Sequence, residues 1–249
     1  MLREYLTSIA NKLRELLGTT DTINAQNFTS KIDEVYNAGY EKGKSEGGGA
    51  SECNSIHLSD MPDWIEFFKF DARSEIIPFL RYSDTSKGKS FESMFYGIGT
   101  CDVIPELDTS NGESFMTMFC DSSVKTISGL NTSKGKNFHS MCAYAWQLTN
   151  IEGTLDLSGA QYSSAIRYMF DGCGRLEKVT FEGIINITEN LDMFSSCNNL
   201  TVDSAMSFIN ALADNSGQSK TYTVNIGSVL TKLTEEQKAI ATAKNIKLA

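Results

Sequence analysis

The side chains here that could do chemistry are two histidines, six cysteines and a few recurring acidic and basic residues. His139 and Cys142 lie three apart, which places two ligands on one helical face. Each also matches a position of a longer repeat, so both read as repeat residues rather than as a metal or catalytic pair. The only other histidine is His57. Cys53, Cys101, Cys120, Cys142, Cys173 and Cys197 include no Cys-x-x-Cys, so a zinc ribbon is unsupported. Cys173 and Cys197 occupy one repeat position and read as small thiols stacked in a core. The alternative is a disulfide between adjacent repeats.

Lys87-Gly88-Lys89-Ser90 and Lys134-Gly135-Lys136-Asn137 look like the end of a phosphate loop. The full loop needs a glycine five residues before Gly88 or Gly135, and none stands there. Asp84, Asp108 and Asn131 are spaced like a calcium ladder, but the Gly-Gly-x-Gly-x-Asp run that builds one is missing. They read as polar turns. The remaining carboxylates are scattered, with no pair set up for acid–base work. The expectation is no catalytic, cofactor-binding or metal residue, and no enzyme.

The elements that hold these residues repeat. Methionines stand at 94, 118, 141, 169 and 193, at spacings of 24, 23, 28 and 24, a period typical of stacked repeats. Phe91-Glu92-Ser93-Met94-Phe95 recurs as Phe115 to Phe119, Phe138 to Cys142, Ile166 to Phe170 and Asp192-Met193-Phe194. Asp/Asn-Thr-Ser-x-Gly leads in at Asp84, Asp108 and Asn131, with Ser90, Ser114 and Asn137 placed to cap a short helix. Phe and Met three apart then share a buried helical face. Four residues after each Met come Ile98, Ser122, Ala145, Cys173 and Cys197; seven after come Cys101, Lys125, Leu148, Leu176 and Leu200. Short extended pieces follow, as at 103–107 and 126–130, with 76–80 as the same strand one unit earlier. The predicted unit is helical turn, corner, strand and polar turn, stacked so that strands form a parallel ladder. In the last unit Asn190 falls where that helix needs an apolar residue.

At these residues the chain resembles the BspA-like leucine-rich repeats. Gly172-Cys173-Gly174-Arg175-Leu176 after Met169-Phe170 fits, as does Ser196-Cys197-Asn198-Asn199-Leu200 after Met193-Phe194. The resemblance covers about Glu75 to Leu200. It implies an α/β fold: a leucine-rich-repeat-like solenoid with short helices and a parallel strand ladder. An N-terminal two-helix segment precedes it, and a small α/β cap closes it.

Net charge is −9, with 22 Lys and Arg against 31 Asp and Glu, which disfavours nucleic acid and anionic lipid as partners. Charges at 3, 4, 12, 14 and 15 leave no signal-peptide core, and no run is long enough for membrane insertion. Residues 2–17 read as a helix with Leu2, Leu6, Ile9, Leu13 and Leu16 in one seam, the candidate oligomerisation residues. A second helix is expected over 26–43. Ile9-Ala10-Asn11-Lys12-Leu13-Arg14, Gly18-Thr19-Thr20 and Ile23 to Phe28, with Ile32, are similar to the opening segments of phage and prophage tail-associated proteins.

The expected organisation is a helical anchoring or oligomerisation segment at 1–45 and a Gly-rich linker at 46–51. A cap coil follows at 52–82, the solenoid at 83–203 and a C-terminal α/β cap at 204–249. Trp64, with Ile65, Phe67, Phe68 and Phe70, belongs to the cap coil; a carbohydrate-stacking role for Trp64 is the minority reading. After Leu200 the sequence predicts a helix at 205–213, a strand at 221–226, a capping box at Thr234-Glu235-Glu236-Gln237 and a last strand at 246–248. The resemblances imply a virion structural protein of tail-fibre, receptor-binding or decoration type, made in the host cytoplasm. Its partners would be further copies of itself, a trimer by analogy with tail fibres, other virion proteins, and a host surface protein or glycan. The alternative is a bacterial cell-surface adhesin of the same repeat family.

Overall fold

The computed structural model describes Thr7, Ala10, Asn11, Leu13, Arg14, Gly18, residues 85–104 and residues 107–249. The second helix at 26–43, the linker, the cap coil with Trp64, the strand at 76–80, and Leu2, Leu6, Ile9, Leu16, Cys53, His57 and Asp84 lie outside these residues.

The fold is mixed α/β, with short helices and small parallel sheets and no closed barrel among the described residues. Its Phe-x-x-Met-Phe segments are not the helices that the spacing predicts. Met94, Tyr96 and Ile98 donate to carbonyls three residues back. The alternate amides of Phe91, Ser93, Phe95 and Gly97 donate instead to Ser114, Met116, Met118 and Cys120 of the next unit. An α-helix would keep all these bonds to itself. Ser93 (φ 53°) and Gly97 (φ 64°) are left-handed, and so are Thr117 and Asp121, then Ser140 and Tyr144, in the two units that follow. Each such residue reverses the chain, so a segment is two consecutive turns. Ser90, Ser114 and Asn137 begin no helix; they pair as parallel bridges, and the Asn137 side chain accepts from the His139 amide at 3.1 Å. The helical reading arose because consecutive turns bury residues at helical spacing: Phe91, Met94, Phe95 and Ile98 are all buried.

The core consists of columns that run from unit to unit. Phe91, Phe115 and Phe138 stack with centroids 5.7 and 5.3 Å apart. Phe95 stacks on Phe119 at 5.3 Å, and Phe170 on Phe194 at 5.5 Å. Cys142 interrupts this second column.

Among the described residues every strand pairing is parallel. β1 (Thr100–Val103), β2 (Ser123–Ile127) and β3 (Asn150–Ile151) form one sheet in that order. β4 (Leu155–Asp156) pairs with β5 (Phe181–Glu182). Cys101 pairs with Val124, so counting seven residues from Met118 picks the wrong residue. Val124 is fully buried in the leucine slot, and Lys125 is exposed. In the last repeat unit β6 (Leu191–Asp192) begins three residues before Phe194 rather than four. Leu191 thereby fills the apolar slot, and Asn190 is exposed, accepting from the Thr223 amide at 2.9 Å.

α1 (Val202–Ala211) ends the succession of units along one side. Its Ser204 hydroxyl accepts from the Val179 amide at 3.1 Å, and its Ser207 hydroxyl from Phe181 at 3.2 Å. Two serines thus satisfy edge amides that a further strand would otherwise take. Lys244 donates to the carbonyls of Ile209, Asn210 and Leu212, closing the C-terminal end of α1. β7 (Tyr222–Asn225) joins β6 to β8 (Ile246–Leu248). α2 (Glu235–Ala243) opens on the predicted capping box of Thr234 and Gln237.

Candidate functional site

The described residues among those singled out for chemistry are used within the fold. The Asp108 and Asn131 side-chain oxygens accept from the amides of Ser110 and Ser133 at 3.0 and 3.1 Å, each closing a polar turn. Asp156 continues the column by accepting from Ser158 at 2.9 Å. Gly112 and Gly135 of the Lys-Gly-Lys-like turns sit under phenylalanine rings. A Cβ there would lie 2.5 Å from Phe115 and 2.1 Å from Phe138. Lys136 pairs with Glu113 at 2.6 Å, and the lysine holds that exposed carboxyl below its usual range. His139 Nδ1 lies 3.0 Å from the Ser164 carbonyl. No three His, Cys, Asp or Glu side chains converge as a metal site among the described residues.

Cys120, Cys142, Cys173 and Cys197 are free and buried. Cys173 and Cys197 donate to the carbonyls of Cys142 and Phe170 at 2.9 and 3.0 Å. Burial raises all four thiols, Cys120 to about 11 and Cys197 to about 12. A thiol that stays protonated is neither a nucleophile nor a ready metal ligand. Of the candidate oligomerisation residues only Leu13 is described; it is fully buried, and Ala10 nearly so.

One surface feature fits none of these structural roles. Tyr144, Trp146 and Tyr168 are large aromatic residues exposed by 57%, 50% and 39%. Tyr144 and Tyr168 are both left-handed, at φ 58°. Tyr144 shares its column with Gly97, Asp121, Gly172 and Ser196; Tyr168 shares its own with Ser93, Thr117 and Ser140. A bulky residue in this conformation carries backbone strain that glycine avoids. The Tyr144 ring lies against Gly172, where an added Cβ would come within 2.6 Å of Cδ1. The negative charge of Asp171 raises the Tyr144 phenol above its usual range. On the adjoining corner Arg175 donates to the Gln147 amide oxygen at 2.8 Å. Tyr168 meets the His139 ring edge-on at 5.9 Å.

Sequence reasoning weighed Trp64 as a stacking residue and passed over Trp146. The signal was nonetheless present: aromatic side chains stand at 144 and 168 where sister units carry Gly, Ser, Thr or Asp. It becomes readable only once the column register is known.

No protein-family model, curated protein or solved structure matches the chain.

Proposed function

We propose that this chain is a non-enzymatic structural protein of a phage or prophage virion. Its leucine-rich-repeat-like solenoid would present a side surface for binding to the host. The observation that carries the reading is the unit-to-unit register. Each Phe-x-x-Met-Phe segment gives alternate amides to the next, so every unit is the template for its neighbour. Such a stack is a rigid scaffold on which exposed side chains take fixed relative positions. The N-terminal segment, by its likeness to tail-associated proteins, would provide attachment and self-association.

The test is the gene neighbourhood. Capsid and tail genes beside this one are the expected finding. Surface-export genes in that place would overturn the virion reading and leave the adhesin.

A further inference from the structure

Three exposed aromatic residues sit on consecutive units of a scaffold whose equivalent positions are small or polar. Exposed apolar surface marks an interaction site when it is contiguous, and Tyr144 and Trp146 leave a single turn. The Tyr144 ring lies beside Gly172 through Cδ1 and Cε1, yet the residue is exposed by 57%, so much of its surface is open to a ligand. Trp146, two residues along the same turn, adds a second exposed ring. Beside them the structure holds Asp171, next in the chain to Gly172, and the Arg175–Gln147 pair. We propose that this surface binds a neutral glycan, with pyranose C–H faces packing on Tyr144 and Trp146 and hydroxyls bonding Asp171, Gln147 and Arg175.

The chemistry favours a neutral saccharide over other partners. A sugar ring has an apolar face and a rim of hydroxyls, which suits amphipathic rings set among hydrogen-bonding groups. A nucleic acid would also stack, but its phosphates would meet Asp171 on a chain of net charge −9. A protein hot spot is a dense, fully desolvated patch. Here the column that holds Tyr144 continues as Asp121, Gly172 and Ser196, which are small or polar. The left-handed strain at Tyr144 and Tyr168 is then a cost retained for function.

This inference rests on the reading of the units as a binding scaffold. It is tested directly with the full chain on a printed array of neutral, sialylated and sulfated saccharides, with unglycosylated protein and single-stranded DNA as further spots. Binding to neutral saccharide spots is expected. Tyr144→Gly and Trp146→Ala should each weaken it at least about tenfold, as for anchor residues. Tyr144→Gly should do so without lowering the thermal midpoint, since glycine relieves the left-handed strain. If Tyr144→Gly fails to fold, Trp146→Ala alone decides between the outcomes. Binding confined to acidic saccharide, protein or DNA spots overturns the proposal, as does a blank array or full binding by the variants. A blank array beside capsid and tail genes removes this inference and leaves the virion reading. Neutral-glycan binding by a gene set among export genes does the reverse.

Discussion

Thr109 holds both main-chain polar groups of Asn131 in the next unit. Its hydroxyl donates to the Asn131 carbonyl at 2.9 Å and accepts from the Asn131 amide at 2.8 Å. Thr85 likewise donates to the Asp108 carbonyl at 2.9 Å, and Thr132 accepts from the Asp156 amide at 2.7 Å. All three threonines are buried. On the polar-turn side, buried hydroxyls thus do what backbone bonds do on the Met-Phe side.

Thr109→Val should therefore destabilise the chain. It keeps the shape and deprives Asn131 of both contacts, at about 1–3 kcal/mol. In a chain of this size each kcal/mol lowers Tm by about 2–4 °C. Thr109→Ser, which keeps the hydroxyl, should retain most of the stability. Equal midpoints for Val and wild type in a thermal melt would show that the hydroxyl is not what holds the turn.

Met118 tests the inward face of the double turn. It is fully buried between Phe115 and Phe119, themselves fully buried. Met118→Ala should cost about 2–5 kcal/mol in urea unfolding, as a core truncation. A loss under about 0.5 kcal/mol would place Met118 outside the core.

The inward set was legible in the sequence, because Phe91, Met94, Phe95 and Ile98 repeat at fixed offsets. The backbone that presents them was not. Turns with left-handed residues at every fourth position share that spacing with a helix, and Ser93 or Thr117 gives no residue-level sign of positive φ. Single-residue slips were equally hidden: Val124 for Lys125 and Leu191 for Asn190 follow from which residue pairs across units, which counting from the methionines cannot reveal. The cap was easier to read. Thr234 and Gln237 act locally, so their capping box needs no knowledge of the neighbours.

Ser122 offers the opposite sign. Its hydroxyl is fully buried and has no hydrogen-bond partner among the described residues. The same slot holds Ala145 in the next unit, also fully buried. Ser122→Ala should stabilise the chain by about 1 kcal/mol, because it removes a desolvated hydroxyl from a slot that already accepts a methyl. A lower Tm for the variant would mean that the hydroxyl finds a partner in solution.

The buried thiols predict an alkaline limit on stability. An unfolded cysteine ionises near pH 8.5, whereas Cys120 in the fold ionises at about 11 and Cys197 at about 12. Their folded values are raised, so the folded state holds more protons over this window. The stability this gives is complete below about pH 8.5 and is lost as pH climbs through 11 and 12. Tm measured from about pH 7 to about pH 10.5 should fall, and more gently in Cys197→Ala. Native alkylation of Cys120, Cys142, Cys173 and Cys197 should be slow across the same range, and after denaturation without reduction all six cysteines should react. A Cys173–Cys197 disulfide found by mass spectrometry would contradict the free thiols seen here.

The last prediction concerns self-association. Leu13 is fully buried and Ala10 nearly so, while Thr7 and Asn11 on the same helical stretch are exposed. A leucine already covered within its own chain gains nothing by meeting a second copy. Self-association, if it follows the sequence expectation, would draw on the rest of the expected seam: Leu2, Leu6, Ile9 and Leu16. A helix of this length is marginal in water without a partner, and two heptads of seam favour a partner of the same kind. Light scattering at tens of micromolar should show the full chain as an oligomer, with three copies the number implied by the tail-fibre likeness, and residues 50–249 as a monomer. Leu13→Ala should lower Tm by an amount independent of protein concentration, because its contacts are intramolecular. Leu6→Ala should weaken association, so that its loss of Tm depends on protein concentration. A monomeric full chain would remove the seam from the interface, and a truncated form with the same oligomeric state would move the interface into the repeats.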